Sequence, residues 1–262
     1  NGQFDVSYLC HQALFNKVID YAKKNNILSG VVIIYKSNQK SILPINLRIE
    51  LLQKMGFDFC IVIDFSNNFS KILGRDFLDI LRNVCSMQFL ATGSDFRFGH
   101  NLDTGVAELS DYCNQYDLEL DVCQNVCFKG NRISSTITKE AILQGDIEEV
   151  RYLLGDSYYI DASDFVWQTS SSETSLTLIA NITDKQILPP SKAYDAQLVC
   201  NDTEAFVVQC TLYVESNFLR LEIPLEQISS SINLINITQF ILGIKIKGVS
   251  NGTYKRKNNF SS

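Results

Sequence analysis

The sequence contains only two histidines, His11 and His100, and none of its eight cysteines forms a Cys-x-x-Cys pair. Zinc sites use thiolate and imidazole ligands at short, regular spacings. The scarcity of histidine and the scattered cysteines therefore argue against a zinc site. Most of the cysteines lie inside apolar runs, which predicts buried free thiols in a reducing cytosol.

The sequence also lacks a stretch of the roughly 18 apolar residues that a membrane span needs, and it shows no signal-peptide pattern. We therefore expect a cytoplasmic protein without a membrane partner. The chain begins at Asn1, directly in front of a motif described below. We expect a first strand to precede that motif.

No basic block is present, since 23 Lys and Arg face 29 Asp and Glu, for a formal net charge of −6. An acidic chain is poorly suited to nucleic acid or to an anionic membrane surface. Hydrophobic residues make up 45% and charged residues 20%, as in an ordinary globular protein. The length of 262 residues is sufficient for two domains.

Apolar runs alternate with helical patterns over residues 1–155. Runs that predict strands lie at residues 30–35, 59–63, 88–92 and 118–122. Helical spacing of apolar residues occurs at residues 12–25, 47–55, 77–84, 106–116 and 138–154. This alternation predicts an α/β domain with a parallel sheet covered by helices on both faces.

The pattern changes after residue 155. Short β-like runs follow at residues 176–182, 205–214, 218–223 and 241–246, and a polar run lies at 169–174. They predict a smaller β-barrel domain at residues 156–262.

Three motifs could bind a ligand, and the first lies at residues 2–11. It contains Phe4 and Asp5 and enters the first helix at His11. A loop that leads into a helix N-terminus binds anions, because free backbone N–H groups and the helix dipole point at it. His11 could donate to a phosphate there, or it could be a partly buried capping residue.

The second motif follows the predicted strand at 88–92. It comprises the loop residues Asp95, Phe96, Arg97, Phe98 and Gly99. In open parallel sheets, ligands bind beyond the carboxyl ends of the strands. Two aromatic residues flanking an arginine can hold a planar ring or a phosphate. Alternatively, the two phenylalanines fill the core.

The third motif opens the helix predicted near residue 138. Ser134, Ser135 and Thr136 precede Lys139 by a few residues. Such hydroxyl groups cap the free N–H groups of a helix. The same hydroxyls, N–H groups and lysine could hold a triphosphate.

In this order, the three motifs resemble those of the bifunctional bacterial FAD synthetases, which combine riboflavin kinase and FMN adenylyltransferase modules. The family's D-F-R-F-G loop matches residues 95–99, and its I-S-S-T matches residues 133–136. The resemblance covers nearly all of the first 155 residues. It implies a Rossmann-like nucleotidylyltransferase domain followed by a riboflavin-kinase-like barrel.

The resemblance also implies a reaction, in which ATP, accompanied by Mg²⁺, transfers AMP to FMN and gives FAD and pyrophosphate. Phe4, Asp5 and His11 would bind the nucleotide, with His11 as the catalytic residue. Ser134, Ser135, Thr136 and Lys139 would hold the triphosphate. Residues 95–99 would face the flavin.

The first and third motifs also depart from the family pattern. The family's H-x-G-H reads as residues 8–11 here, with Tyr8 for the first histidine and Cys10 for the glycine, and Val6 replaces a neighbouring glycine. A Cβ at such a position obstructs the approach of backbone to phosphate. Ile137 and Lys139 stand where the family has two arginines. We therefore expect impaired adenylyl transfer.

The second domain resembles the family's kinase barrel less closely. Ile179 stands where the family's P-T-A-N motif has its metal-binding threonine, and residues 169–174 replace a glycine-rich loop without containing glycine. Glu222 is the candidate for the family's catalytic glutamate. We expect riboflavin kinase activity to be lost.

Three hypotheses follow. The first is an active but slowed FMN adenylyltransferase. The second is a non-catalytic relative that binds flavin or adenine nucleotide, or acts as an interaction module. The third is a nucleotidylyltransferase with a changed substrate.

Overall fold

The chain divides into two compact units. The computed structural model describes residues 8–36, 38–66, 68–124, 127–128, 131–132, 134–183, 185–201, 205–228 and 237–250. Asn1–Gln39 and Pro44–Ser135 belong to the first unit, whereas Lys40–Leu43 and Thr136–Ser262 belong to the second. The functional division predicted at residue 155 stays a prediction.

The first unit alternates helices and strands, as its sequence pattern predicts. Its elements are α1 (Tyr8–Asn25), β1 (Gly30–Tyr35), α2 (Ile45–Met55), β2 (Phe59–Asp64), α3 (Gly74–Cys85), β3 (Phe89–Gly93), α4 (Val106–Gln115), β4 (Glu119–Cys123), β5 (Cys127–Phe128) and β6 (Asn131–Arg132).

The longer strands of the first unit form two parallel pairs. β1 pairs with β2 from Gly30 opposite Phe59 onward, and β3 pairs with β4 from Phe89 opposite Glu119 onward. Parallel strands need a crossover connection, which α2 and α4 supply. The predicted combination of parallel strands with intervening helices is thereby confirmed, and β5 and β6 add a short antiparallel hairpin.

Two hydrophobic clusters stabilise this unit. In the first, Phe15 and Ile19 of α1 pack with Ile33 of β1 and with Phe57, whose ring meets that of Phe15 edge-on at 5.3 Å. The second cluster joins α3 and α4 to β3 and β4. Its buried members are Leu78, Leu109 and Tyr112.

The second unit opens with two helices and continues as an antiparallel sheet. Its elements are α5 (Ser135–Gln144), which begins at the last residue of the first unit, α6 (Ile147–Leu154), β7 (Tyr158–Asp161), β8 (Gln168–Ser171), β9 (Ser175–Asn181), β10 (Ala193–Asn201), β11 (Ala205–Val214), β12 (Phe218–Pro224) and β13 (Ile241–Val249). Among the described strands the order is β7-β13-β10-β11-β12-β9-β8. The mixed α/β class is confirmed, with small parallel pairs and one large antiparallel sheet.

The second sheet has one buried face. Side chains alternate between buried and more accessible along β9 and β12, and Leu178, Leu219 and Leu221 are fully buried. This period of two is typical of a sheet that packs one face on a core. It explains why four of these strands are visible in the sequence.

The single helix predicted at residues 138–154 is wrong. Gly145 has a left-handed φ of 76°, a conformation that glycine adopts without a Cβ clash. It ends α5. Asp146 then caps α6, and its side chain accepts a hydrogen bond from the Glu149 N–H at 3.1 Å.

A short segment of the first half of the sequence belongs to the second unit. Ser41 forms a parallel bridge with Gln186, and Ile42 is buried. The Gln186 side chain donates to the carbonyl oxygens of Ile42 at 2.9 Å and Tyr159 at 2.6 Å. It also accepts from the Asp161 N–H at 3.1 Å. Lys40–Leu43 is therefore anchored in the second unit.

Cysteine burial follows the prediction only in part. Of the six free cysteines whose side chains the structure describes, Cys113, Cys200 and Cys210 are buried, whereas Cys85 at the end of α3 is exposed. Burial raises the pKa of Cys200 and of Cys210 to about 12. These two thiols therefore stay protonated at neutral pH. No helix within the described ranges is both long and apolar enough to cross a membrane.

Candidate functional site

The loop that carries residues 95–99 lies at the carboxyl ends of β3 and β4. β3 ends at Gly93, and the N–H of Ser94 donates to the carbonyl oxygen of Cys123, the last residue of β4, at 2.9 Å. The motif therefore begins at the edge where parallel α/β proteins bind their ligands. This is the position that the sequence predicts.

Side chains alternate in direction along this loop. Asp95 and Arg97 are exposed, whereas Phe96 and Phe98 are half-buried. The two rings stack with centroids 5.3 Å apart and planes 26° apart, and both pack on the cluster of α3 and α4. The interpretation that the phenylalanines fill the core is thus supported, while the polar side chains of the motif are accessible to a ligand.

A row of aromatic rings continues from this loop to the end of β2. Phe98 meets Phe77 at 5.9 Å, Phe77 meets Phe69 at 5.8 Å, and Phe69 meets Phe65 at 6.0 Å, all edge to face. Phe65 directly follows β2 and is 37% exposed, with Lys36 Nζ 5.1 Å from its ring centroid. This row was not predicted. Its sequence signal is the position of Phe65 directly after the last residue of a strand.

Arg97 extends toward the start of α4. Its Nη1 donates to the carbonyl oxygen of Leu102 at 3.3 Å. Glu108 accepts from the N–H of Gly105 at 2.8 Å and so closes the helix N-terminus. This backbone hydrogen bond is the main reason that the pKa of Glu108 is lowered, with a smaller contribution from Arg97. One hydrogen bond therefore directs the exposed guanidinium toward the start of α4.

The structure describes only some of the residues that were predicted to bind the nucleotide phosphates. Phe4 and Asp5 lie outside the described residues, as does the side chain of His11, whose backbone belongs to α1. Ser134 precedes α5, while Ser135, Thr136 and Lys139 belong to its first turns. Thr136 and Lys139 are exposed, and Ser134 and Ser135 are half-buried. Their roles stay predictions.

The two helices assigned to phosphate binding share an electrostatic feature. Neither α1 nor α5 has an acidic residue in its first turn, a feature that they share with α2, whereas α3, α4 and α6 each have one or two. A carboxylate there would repel a phosphate and compete for the free N–H groups. The N-terminal ends of α1 and α5 are therefore compatible with an anionic ligand.

The candidate kinase residues lie on β9 and β12. Ile179 is half-buried in β9, opposite Arg220. The Glu222 carboxylate forms an ion pair with Arg220 and accepts from the Tyr213 hydroxyl at 3.0 Å. The Arg220 guanidinium also lies 3.6 Å from the Tyr213 ring centroid. Both oxygens of Glu222 are thus engaged by its own unit.

A cavity in the first unit lies away from the loop of residues 95–99. This cavity of about 430 Å³ is lined by Ala22, Lys23, Ser29 and Asp58 among others. The cavity lies at the amino ends of β1 and β2, whereas the loop of residues 95–99 follows the carboxyl end of β3. Over the part of the chain that is described, no three His, Cys, Asp or Glu side chains are grouped to hold a metal ion.

The family model for FAD synthetase matches residues 1–137, just over half of the 262-residue chain. The loop at the carboxyl end of β3 lies inside this region. The chain therefore belongs to the FAD synthetase family.

Named relatives agree with this assignment. The bifunctional riboflavin kinase/FMN adenylyltransferase of Buchnera aphidicola subsp. Schizaphis graminum is 25% identical over 229 residues, which cover 83% of this chain and 73% of that protein. The FAD synthetase of Listeria monocytogenes is 26% identical over 172 residues, covering 61% of this chain and 68% of that protein. The match to the bifunctional enzyme of Escherichia coli K12 covers 61% of this chain and 54% of that enzyme, at 26% identity.

The fold also has a counterpart among solved structures. A crystal structure described as a macrolide-efflux protein from Streptococcus pneumoniae superposes with a TM-score of 0.76, covering 95% of this chain and 84% of that chain. The two sequences are 18% identical, so this likeness concerns the fold alone.

Proposed function

We propose that this protein is an FMN adenylyltransferase that makes FAD from FMN and ATP at a reduced rate. The observation that carries the proposal is the complete D-F-R-F-G loop, with exposed Asp95 and Arg97, at the carboxyl end of β3 in a member of the FAD synthetase family. The first unit would be a Rossmann-like domain and the second a kinase-like barrel. The protein would act in the cytoplasm.

The chemistry requires positioning more than a covalent group. A phosphate oxygen of FMN attacks the α-phosphorus of ATP, the bond from that phosphorus to the bridging oxygen of pyrophosphate breaks, and pyrophosphate leaves with the electron pair. Residues that fix both phosphates in line and stabilise the charge on them supply most of the rate. Mg²⁺ would accompany ATP, because in nucleotide enzymes substrate phosphates supply several of its ligands.

The proposed roles follow the three motifs. Arg97 and Asp95 would contact the flavin side, where Phe96, Phe98 and Gly99 fix the loop. His11, together with Phe4 and Asp5, would steady the nucleotide phosphates. Ser134, Ser135, Thr136 and Lys139 would hold the triphosphate at the start of α5.

The reduced rate is inferred from residues on the phosphate side. Tyr8 and Cys10 replace the histidine and glycine of the first motif, and Ile137 replaces an arginine of the third. Losing one charged or hydrogen-bonding contact to a developing charge lowers a rate by roughly 10²–10³. Lys139 keeps a positive charge without the two-pronged geometry of arginine.

Riboflavin kinase activity is proposed to be lost from the second unit. Ile179 offers no hydroxyl for a metal or nucleotide. Arg220 and Tyr213 engage both oxygens of Glu222, which disfavours its action as a general base. A general base must reach the proton that it abstracts.

One assay tests the adenylylation. The purified chain is incubated with FMN, ATP and Mg²⁺, and FAD is followed by chromatography. We expect FAD above a control without protein, and no FMN when riboflavin replaces FMN. Absence of FAD at high protein concentration would refute the proposal. Calorimetric binding of FMN or ATP without turnover would then identify a binding module.

A further inference from the structure

The turn that closes the motif loop is strained. Asn101 and Leu102 have φ values of 54° and 59°, and Gly99 has a φ of 83°. Two consecutive non-glycine residues in the left-handed region are rare, and a leucine there is especially unfavourable. Such a conformation persists only where surrounding contacts impose it, and such sites often serve function.

The Asp103 carboxylate supplies those contacts. Its Oδ1 accepts from the N–H of Gly74, the first residue of α3, at 3.1 Å and from the Thr104 hydroxyl at 3.1 Å. The N–H of His100 donates to the carbonyl oxygen of Ile72 at 2.8 Å. The turn is thereby joined to the start of α3 through both side chain and backbone.

The fit of this carboxylate depends on two glycines. A Cβ added to Gly99 would lie 1.9 Å from Asp103 Oδ1 and 2.5 Å from the nitrogen of Gly74. A Cβ added to Gly74 would lie 2.0 Å from Thr104 Oγ1. The missing side chain of Gly99 therefore leaves room for the Asp103 carboxylate, and that of Gly74 leaves room chiefly for the Thr104 hydroxyl, which donates to the same carboxylate.

The strained turn also contacts Arg97. The carbonyl oxygen of Leu102, inside the turn, accepts from Arg97 Nη1 at 3.3 Å. Phe98 and Thr104 exchange backbone hydrogen bonds at 2.9 and 3.1 Å across the base of the turn. A continuous set of contacts thus runs from Gly74 through Asp103 to the guanidinium of the motif.

We propose that Asp103 is a positioning residue for flavin binding, which fixes Arg97 through the turn at residues 99–103. The proposal rests on the proposed function, since it takes this loop as the flavin site. A side chain that positions an arginine is expected to affect FMN more than ATP, whose predicted contacts lie at other motifs. A small misplacement of a binding group can lower activity by up to about 10²-fold.

The test compares Asp103→Ala with Asp103→Asn, since asparagine keeps an oxygen that can accept from the Gly74 N–H. We expect Asp103→Ala to raise KM for FMN about tenfold while KM for ATP stays close to the wild-type value. Asp103→Asn should restore most of the loss. The control is Asp111→Ala, on the exposed face of α4, which should match the wild type. Circular dichroism checks that each variant is folded.

Three results would overturn the proposal: an unchanged KM for FMN in Asp103→Ala, an equal rise in KM for ATP, or no rescue by asparagine. If the wild type makes no FAD, the adenylylation proposal fails separately. Quenching of FMN fluorescence then decides the role of Asp103. Weaker FMN binding by Asp103→Ala that asparagine restores supports it, whereas equal affinities or no FMN binding by the wild type refutes it.

Discussion

Gly99 allows a direct test of the loop geometry. Gly99→Ala places a Cβ at a left-handed φ of 83° and into Asp103 and the backbone of Gly74. The strain of the conformation alone destabilises by about 1 kcal/mol, and the steric overlap adds about 1–3 kcal/mol. We expect a corresponding fall in the free energy of unfolding, measured with urea.

Gly56→Ala provides the matched control for this substitution. Gly56 has a φ of 95° and nothing within 4 Å of an added Cβ. It therefore reports the conformational strain without the overlap. Equal losses for the two variants would show that the loop moves away from Asp103 without penalty.

The substituted residues at the start of α1 permit a test of function. Tyr8→His combined with Cys10→Gly restores two of the three departures from the family's first motif, and in the proposed site it removes a Cβ that would obstruct phosphate. We expect FAD formation to rise, by about tenfold or more if the restored groups contact phosphate. The measurement is the initial rate at saturating FMN and ATP. An unchanged or lower rate would mean that this loop does not bind the nucleotide.

At the scale of elements, the cap of α6 explains where the predicted long helix divides. Asp146→Ala removes the acceptor for the Glu149 N–H, and loss of an N-cap destabilises by about 1 kcal/mol. We expect that decrease in the free energy of unfolding, monitored by urea denaturation. Asp146→Asn keeps an acceptor and should lie near the wild type. A neutral Asp146→Ala would show that the cap is dispensable.

The elements that could be predicted from the sequence share one property, which is a strong local pattern. β1 is a continuous apolar run, and its predicted bounds agree with the structure. β10 was not predicted, although Asp195 and Gln197 alternate with the buried residues Ala196 and Leu198 along it. All four residues of β8 are exposed. Its pairing with β9 depends on the tertiary structure, and the local sequence of β8 does not indicate it.

The candidate site shows the same limit. The motif at residues 95–99 and its position after a strand could be read from the sequence, because ligand sites of parallel sheets follow strand ends. The role of Asp103 could not be read from the sequence. Its partner Gly74 lies 29 residues earlier, and the strained turn has no signature in composition.

At the scale of the whole molecule, the units are not consecutive pieces of sequence, because Lys40–Leu43 belongs to the second unit. The chain leaves the first unit after β1 and returns to it before α2. Gln186 is buried and holds this segment through the carbonyl oxygen of Ile42. The fold of the second unit therefore depends on residues encoded more than 90 positions before its main part.

Gln186→Leu tests that dependence. The substitution removes the hydrogen bonds that join the Gln186 side chain to the Ile42 and Tyr159 carbonyls and to the Asp161 N–H, and a typical hydrogen bond contributes about 0.5–1.5 kcal/mol. We expect the free energy of unfolding of the second unit to fall by about 2–4 kcal/mol. Amide hydrogen exchange at Ser41, Ile187 and Asp161 should accelerate.

Exchange in the first unit separates this effect from general destabilisation. Amides of β1 pair within the first unit, so their protection should change little in Gln186→Leu. Gln209→Leu, at an exposed position of β11, should leave amide protection in both units unchanged. If Ser41 keeps its wild-type protection in Gln186→Leu, the backbone bridge between Ser41 and the strand segment at Gln186 is sufficient by itself. The buried side chain would then serve the local packing of β7 rather than the anchoring of Lys40–Leu43.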